Sequence, residues 1–293
     1  MMSAAVKQPT YKRQRFLLSF LQQLNESVSA TDLQKLVFLY MMDNHADYYD
    51  FIPYKYGAYS FQLREDLDIL ERDGYVIQVH NQDGTKIKAN GNCLTESNYQ
   101  IAPERGNALI RRAYRMYPYY AIKSEITSRL FRGQELDRFN QGKQAYIQTE
   151  QVLFTIGYEA KGIEAFMNIL IQNDVRLLCD VRKNPLSRKF GFSKGKLEHI
   201  LQTIGIKYVH IPGLGIDSDK RCLLETAEDY ERLFDFYKKT LPSRQAYLDE
   251  VYGLLQQSNR IALMCYELEP TMCHRHVVRD YIVEAYQIRS ADL

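Results

Sequence analysis

The feature that most restricts the fold is a beat of short apolar runs set between helical stretches, beginning at Val152. The runs are Val152–Ile156, Val175–Val181, Lys207–Ile211 and Ile261–Cys265. Their length and apolar character read as strands. Between them Lys161–Ile171, Lys194–Ile204, Asp229–Lys239 and Ser243–Gln257 read as helices, and a last helix runs from Met272 onward. Strands alternating with helices predict an α/β domain: a mostly parallel sheet with helices on both faces.

The first half follows a different pattern. Phe16, Leu17, Phe20, Leu21 and Leu24 recur at helical spacing within Tyr11–Leu24. Thr31-Asp32 predicts the cap of a second helix that buries Leu33, Leu36, Val37, Leu39 and Tyr40. An aromatic loop spans Tyr48–Gly57, and Ser60–Arg72 reads as a third helix stopped near Gly74. Tyr75–Val79 and Thr85–Lys88 predict two strands joined at Asp83-Gly84. Three helices and then a β-wing is the order of a winged helix-turn-helix. Further helices are expected over Pro103–Met116 and Tyr120–Arg132. The polar stretch Asn140–Glu150 reads as a linker, giving a mainly helical, winged-helix-like domain over 1–143 and the α/β domain over 150–293.

A chain of 293 residues, 45% hydrophobic and 25% charged, has room for two such cores. It has no apolar run of about 18 residues, so no spanning helix and no membrane partner are expected. The opening MMSAAVKQPTYKRQRF has no apolar signal core, which points to the cytoplasm. Cys93, Cys179, Cys222, Cys265 and Cys273 are an odd, scattered set, as reduced thiols would be. No CxxC pair occurs, so neither a metal nor a cofactor is expected.

The net charge is only +2, but its distribution is uneven. Between Glu104 and Lys143 nine basic residues face four acidic ones, with Tyr114, Tyr117, Tyr119 and Tyr120 interleaved. Arginines meet phosphates and flat rings meet unstacked bases. Arg111, Arg112, Arg115, Tyr119, Arg129 and Arg132 are therefore the expected nucleic-acid contacts, with DNA the first partner and RNA the alternative. The competing reading is a solvated face with its tyrosines turned inward.

Ligands of open α/β sheets bind beyond the carboxyl ends of the strands. Those ends carry Tyr158-Glu159, Asp180-Val181-Arg182, His210 and Cys265-Tyr266-Glu267, with Asn184, Arg188 and Phe192 following the second and His274-Arg275 opening the last helix. Glu159, Asp180, Glu267 and His274 are the candidates for charge and proton work, with Glu159, which follows a glycine turn at the strand end, the favoured carboxylate. Arg182, Arg188 and Arg275 are the candidates for holding an anion, beside Tyr158, Asn184, Phe192 and His210.

The segments TIGYE (155–159), CDVRKNPLSRKFGFS (179–193), HIPGLG (210–215) and CYELEPTMCHR (265–275) resemble, in order and spacing, the domain of unknown function 488 family over about residues 152–285. Ala160 departs from the pattern, because a glycine often follows the GYE triplet there. The resemblance implies a site of Arg182, Arg188, Cys273, His274 and Arg275, with Tyr158, Glu159 and Asp180 beside it. It implies a fold more than a reaction. LQKLVFL (33–39) and FIPYKYGAYSFQLREDLDILERDGYV (51–76) are similar to Panacea-type antitoxin and YwgA-like proteins over about residues 10–100. That likeness implies a winged-helix-related fold used in regulation and phage conflict.

The leading expectation is a hydrolase acting on nucleic acid, best described as a glycosylase for modified bases in antiviral defence. The sequence lacks HExxH and a compact acidic cluster, which disfavours a two-metal nuclease. A carboxylate among arginines suits N-glycosidic cleavage, with the flipped base stacked on Tyr158 or Phe192. A non-catalytic DNA-binding or antitoxin-like regulator, whose α/β half senses a nucleotide, is the second reading. A rhodanese-like sulfurtransferase using Cys265 or Cys273 is the third.

Overall fold

The computed structural model describes residues 8–82, 84–91, 98–217, 224 and 226–293. The chain divides into two compact units, 1–144 and 145–293.

The first unit opens with α1 (Lys12–Leu24), β1 (Val28–Ser29) and α2 (Ala30–Asp43). Ser29, rather than Thr31-Asp32, caps α2: its hydroxyl accepts the amide of Asp32. The expected aromatic loop is partly a hairpin, β2 (Ile52–Tyr54) and β3 (Gly57–Tyr59). Gly57 makes that hairpin possible, with φ at +91° and the Tyr114 ring 2.4 Å from where a Cβ would stand. Ser60 caps α3 (Phe61–Arg72), and β4 (Val76–Asn81) pairs antiparallel with β5 (Gly84–Ala89). Asp83, at the expected turn, lies outside the described residues. β5 also pairs with β1, giving a three-stranded sheet of order β1-β5-β4.

After α4 (Gly106–Met116) the expected second helix breaks into a 3-10 turn (Pro118–Ala121) and the single turn α5 (Thr127–Leu130). Proline at the start of the 3-10 turn and the Ser124 hydroxyl, which accepts from Tyr114 and from the amide of Ile126, interrupt the helical ladder. α6 (Gly133–Gln144) then runs through the first part of the stretch expected to be a linker. Its one buried residue is Phe139, so its polar composition concealed it.

Lys35 is buried within α2, and its ammonium donates to the carbonyl of Ala58 at 2.7 Å. Burial pulls its pKa down from 10.5 to about 7, with nearby Asp32 opposing part of that fall. Between about pH 7 and 10 the unfolded lysine keeps a proton that the folded one has released, so stability rises with pH across that window. The slope approaches about 1.4 kcal/mol per pH unit. We expect the urea midpoint of the chain to climb between about pH 7.5 and 9.5, and Lys35→Met to flatten the climb. An unchanged slope in the variant would place the titration elsewhere.

The second unit holds β6 (Val152–Gly157), α7 (Ile163–Gln172), β7 (Leu177–Asp180), α8 (Lys194–Thr203) and β8 (Lys207–His210). α9 (Ala227–Thr240), α10 (Gln245–Ser258), β9 (Arg260–Cys265), α11 (Arg275–Tyr286) and β10 (Ser290–Asp292) follow. The five strands form one parallel sheet of order β10-β6-β9-β7-β8. Leu153, Leu177, Cys179, Ile261 and Leu263 are buried with side chains of α9, α10 and α11. The alternate residues Phe154, Ile156, Leu178, Ala262 and Met264 are equally buried and face the other way. Core therefore lies on both faces of the sheet. β10 was not expected, because Ser-Ala-Asp is polar and exposed and joins the sheet only through backbone pairing with Leu153–Thr155.

Candidate functional site

The chain leaves β6 toward β7 on one side, and leaves β9 toward β10 on the other, although β6 and β9 are neighbours. Such a switch point opens a crevice at the carboxyl ends of the strands. A pocket of about 360 Å³ occurs at that rim, lined by Tyr158, Arg182, Asn184, Cys265, Tyr266 and Glu267, and also by Lys183, Leu186, Ser187 and Ile216. A wider groove of about 660 Å³ lies along the edge strand β8 and is lined by residues between Gly195 and Val209.

The floor of the pocket is a closed ionic network. Asp180 is fully buried at the end of β7. Arg182 donates to it from Nε at 2.8 Å and from Nη2 at 2.6 Å, and Tyr208 donates at 2.7 Å. Arg182 also donates to the Tyr158 hydroxyl at 3.0 Å and to the carbonyl of Phe192 at 2.9 Å. Burial works against the charged guanidinium, but the bonds and charge of Asp180, then Tyr158, outweigh it and raise its pKa. Burial, reinforced by Asp180, likewise raises that of Tyr208. Asp180 is thus enclosed by donors, with no path to a substrate proton.

The other expected residues separate into two groups. Phe192 is fully buried and stacks under Tyr158, with centroids 4.3 Å apart, so neither ring presents an open face as the expected base platform. Tyr266 does: it is 46% exposed and meets Tyr158 edge-on. Arg275 is fully buried, and donates to Thr155 Oγ1 and to the carbonyls of Glu267 and Leu268. It fastens the loop after β9 and does not reach for an anion. Glu159 accepts the amide of Leu268 at 2.9 Å and braces the same loop. The ring of His210 meets the carbonyl of Arg182 at 2.9 Å. Arg188 is exposed and outside the pocket lining. Asn184 and the half-buried Glu267 line the pocket.

Gly157 is what lets the loop close over β6. A Cβ there would stand 1.8 Å from the carbonyl oxygen of Glu267 and 3.2 Å from Arg275 Nη1. Ala160, at the position where a glycine was the resembling pattern, adopts φ of +57° and keeps the turn left-handed. We expect Gly157→Ala to cost about 1–3 kcal/mol, the range of an overpacked core, and to distort the Glu267 loop. Urea unfolding measures the first; loss of any ligand bound by the wild-type pocket measures the second.

Behind the pocket wall three groups converge. His274 Nδ1 lies 3.7 Å from Cys265 Sγ and 3.8 Å from Cys273 Sγ, all buried. The Cys265 thiol donates to Glu267 Oε2 at 3.4 Å. Burial, then the bond to Cys265, pushes the Cys273 thiol well up, opposite to what a nucleophilic thiolate requires.

The basic stretch of the first unit is largely paired within itself. Arg115 donates to Glu135 at 2.7 Å, Arg112 to Glu104 at 3.0 Å, Arg111 to the carbonyl of Leu130 and Arg132 to that of Phe131. Arg129 is exposed. Tyr114 is fully buried, Tyr120 packs edge-on against Phe38, and Tyr119 against Tyr120. Four of the six expected contacts, Arg111, Arg112, Arg115 and Arg132, thus place at least one donor within the unit, and Tyr114 turns inward.

Tyr208, Lys183, Leu186, Ser187, Ile216 and Tyr266 were missed as site residues by sequence reasoning. Tyr208 had a findable signal, since it pairs in register with Leu178 one strand from Asp180.

Comparison with known proteins identifies one family. The model of the domain of unknown function DUF488 matches residues 162–282, within the C-terminal half. The Panacea-type likeness of the first unit finds no such match. No curated protein and no solved structure matches the chain.

Proposed function

We propose that the DUF488 domain of this chain is a nucleic-acid-acting hydrolase of glycosylase type, with Glu267 as its catalytic carboxylate. One observation carries the reading: a carboxylate (Glu267), an exposed ring (Tyr266) and cationic or amide donors (Arg182, Lys183, Asn184) share one crevice at the switch point. A flipped base stacks on Tyr266, and Lys183 and Asn184 hold its phosphate and sugar. As the bond from sugar to base breaks, the sugar gains oxocarbenium character that the Glu267 carboxylate stabilises. Water adds to the sugar carbon and the base departs with its electron pair and a proton.

The order of helices with a three-stranded sheet in the first unit is compatible with a winged helix, which would read the nucleic acid, DNA first. Cys179, Cys265 and Cys273 are free thiols, as suits a reducing compartment such as the cytoplasm. Among the described residues no helix is long and apolar enough to cross a membrane.

The test is incubation of the full chain with ordinary and hypermodified phage DNA, followed by mass analysis of released bases and of strand breaks. Released modified base without strand breaks is the expected result. DNA retained on the protein with no base released would favour the non-catalytic regulator.

A further inference from the structure

We propose that Cys265, Cys273 and His274 form a site for a zinc-class divalent cation, with its fourth position open toward Glu267 and the pocket. The three ligand atoms lie within 4.8 Å of one another and all three residues are buried.

The imidazole is oriented for the task. His274 Nε2 lies 3.1 Å from the carbonyl oxygen of Val181, and a carbonyl only accepts, so Nε2 carries the hydrogen. In the neutral ring Nδ1 then offers its lone pair, and it faces both sulfurs. A metal-bound histidine is commonly fixed in this way, by its second nitrogen donating to a backbone carbonyl.

The spacing fits as well. Zinc–sulfur bonds of about 2.3 Å and zinc–nitrogen bonds of about 2.1 Å at tetrahedral angles set a sulfur-to-nitrogen edge of about 3.6 Å. The observed edges are 3.7 and 3.8 Å. The donor set is the soft thiolate and imidazole combination that selects zinc over magnesium or calcium. Metal binding itself drives the thiols to thiolates, releasing their protons to solvent.

Three protein ligands and one open position distinguish a reactive zinc site from a closed structural one. Cys265 and Glu267 both line the pocket, so the open position faces it, with the Glu267 carboxylate beside it. There a bound water would meet a carboxylate able to take its proton. The sequence conceals the trio, because Cys265 ends β9 while Cys273-His274 stand just before α11, with no CxxC spacing between them.

The site stands independently of base release. The full chain, purified under reductant, is analysed for metal by mass spectrometry, then stripped and titrated with Co²⁺. We expect about one zinc per chain, and Co²⁺ absorption of the intense tetrahedral type with sulfur charge transfer, discharged by Zn²⁺. Cys273→Ser should weaken binding tenfold or more, whereas Cys179→Ser, a buried cysteine outside the trio, should keep it. The wild-type cobalt spectrum needs no variant to fold. Weak octahedral absorption, or reduced thiols that bind no metal, would overturn the proposal. So would a Cys265–Cys273 disulfide recovered by peptide mapping of the metal-free protein.

Discussion

Asp180→Asn should destabilise the chain by about 3–5 kcal/mol, the cost of leaving a buried guanidinium without its counter-charge. Arg182 is 5% exposed and its partner not at all. Four donated bonds converge on this carboxylate: Nε, Nη2 and the backbone amide of Arg182, and the hydroxyl of Tyr208. The amide that replaces it carries no charge and accepts through one oxygen only. Replacing both members of the pair, as Asp180→Asn with Arg182→Met, should recover part of the loss, because an unpaired buried charge costs more than an absent pair. Urea unfolding of the single and double variants measures both effects. A loss under about 1 kcal/mol in Asp180→Asn would show that water reaches Arg182 and that the network is open.

Glu267→Gln should reduce turnover by about 100-fold or more with binding retained, the scale of lost acid–base or electrostatic help. Its carboxylate is the one of the three expected candidates that lines the pocket. Glu159→Gln should change turnover far less, because a side-chain amide oxygen can still accept from Leu268. Single-turnover base release by the two variants separates them. Normal turnover in Glu267→Gln would end the glycosylase reading of this pocket.

The alternation of apolar runs and helices made the parallel sheet legible, because a strand buried on both faces writes itself as a continuous apolar run. Helix α6 and strand β10 left no such mark. Each is mostly exposed, and depends on one buried ring or on backbone pairing. At the candidate site, four of the residues that the strand-end rule selected, Tyr158, Arg182, Asn184 and Glu267, line one pocket. The rule could not say which charges stay available. Arg275 and Glu159 look like ligand groups in sequence, yet both are committed to loop backbone. Burial and partnering belong to the fold, and neither is written at any single position. The same holds for Phe192, whose ring supports Tyr158 instead of presenting a face of its own.

Strand β10 gives the pocket a remote handle. Thr155 Oγ1 donates to Asp292 at 2.6 Å and accepts from Arg275 Nε at 3.2 Å, and Arg275 in turn grips the carbonyl of Glu267. Arg279 closes on Asp292 from the other side. A change at the outermost strand is therefore transmitted to the pocket carboxylate through one hydroxyl and one guanidinium. Anything that peels β10 from β6, whether a fusion partner or a binding protein adding a strand of its own, acts as a tensioner on the Glu267 loop.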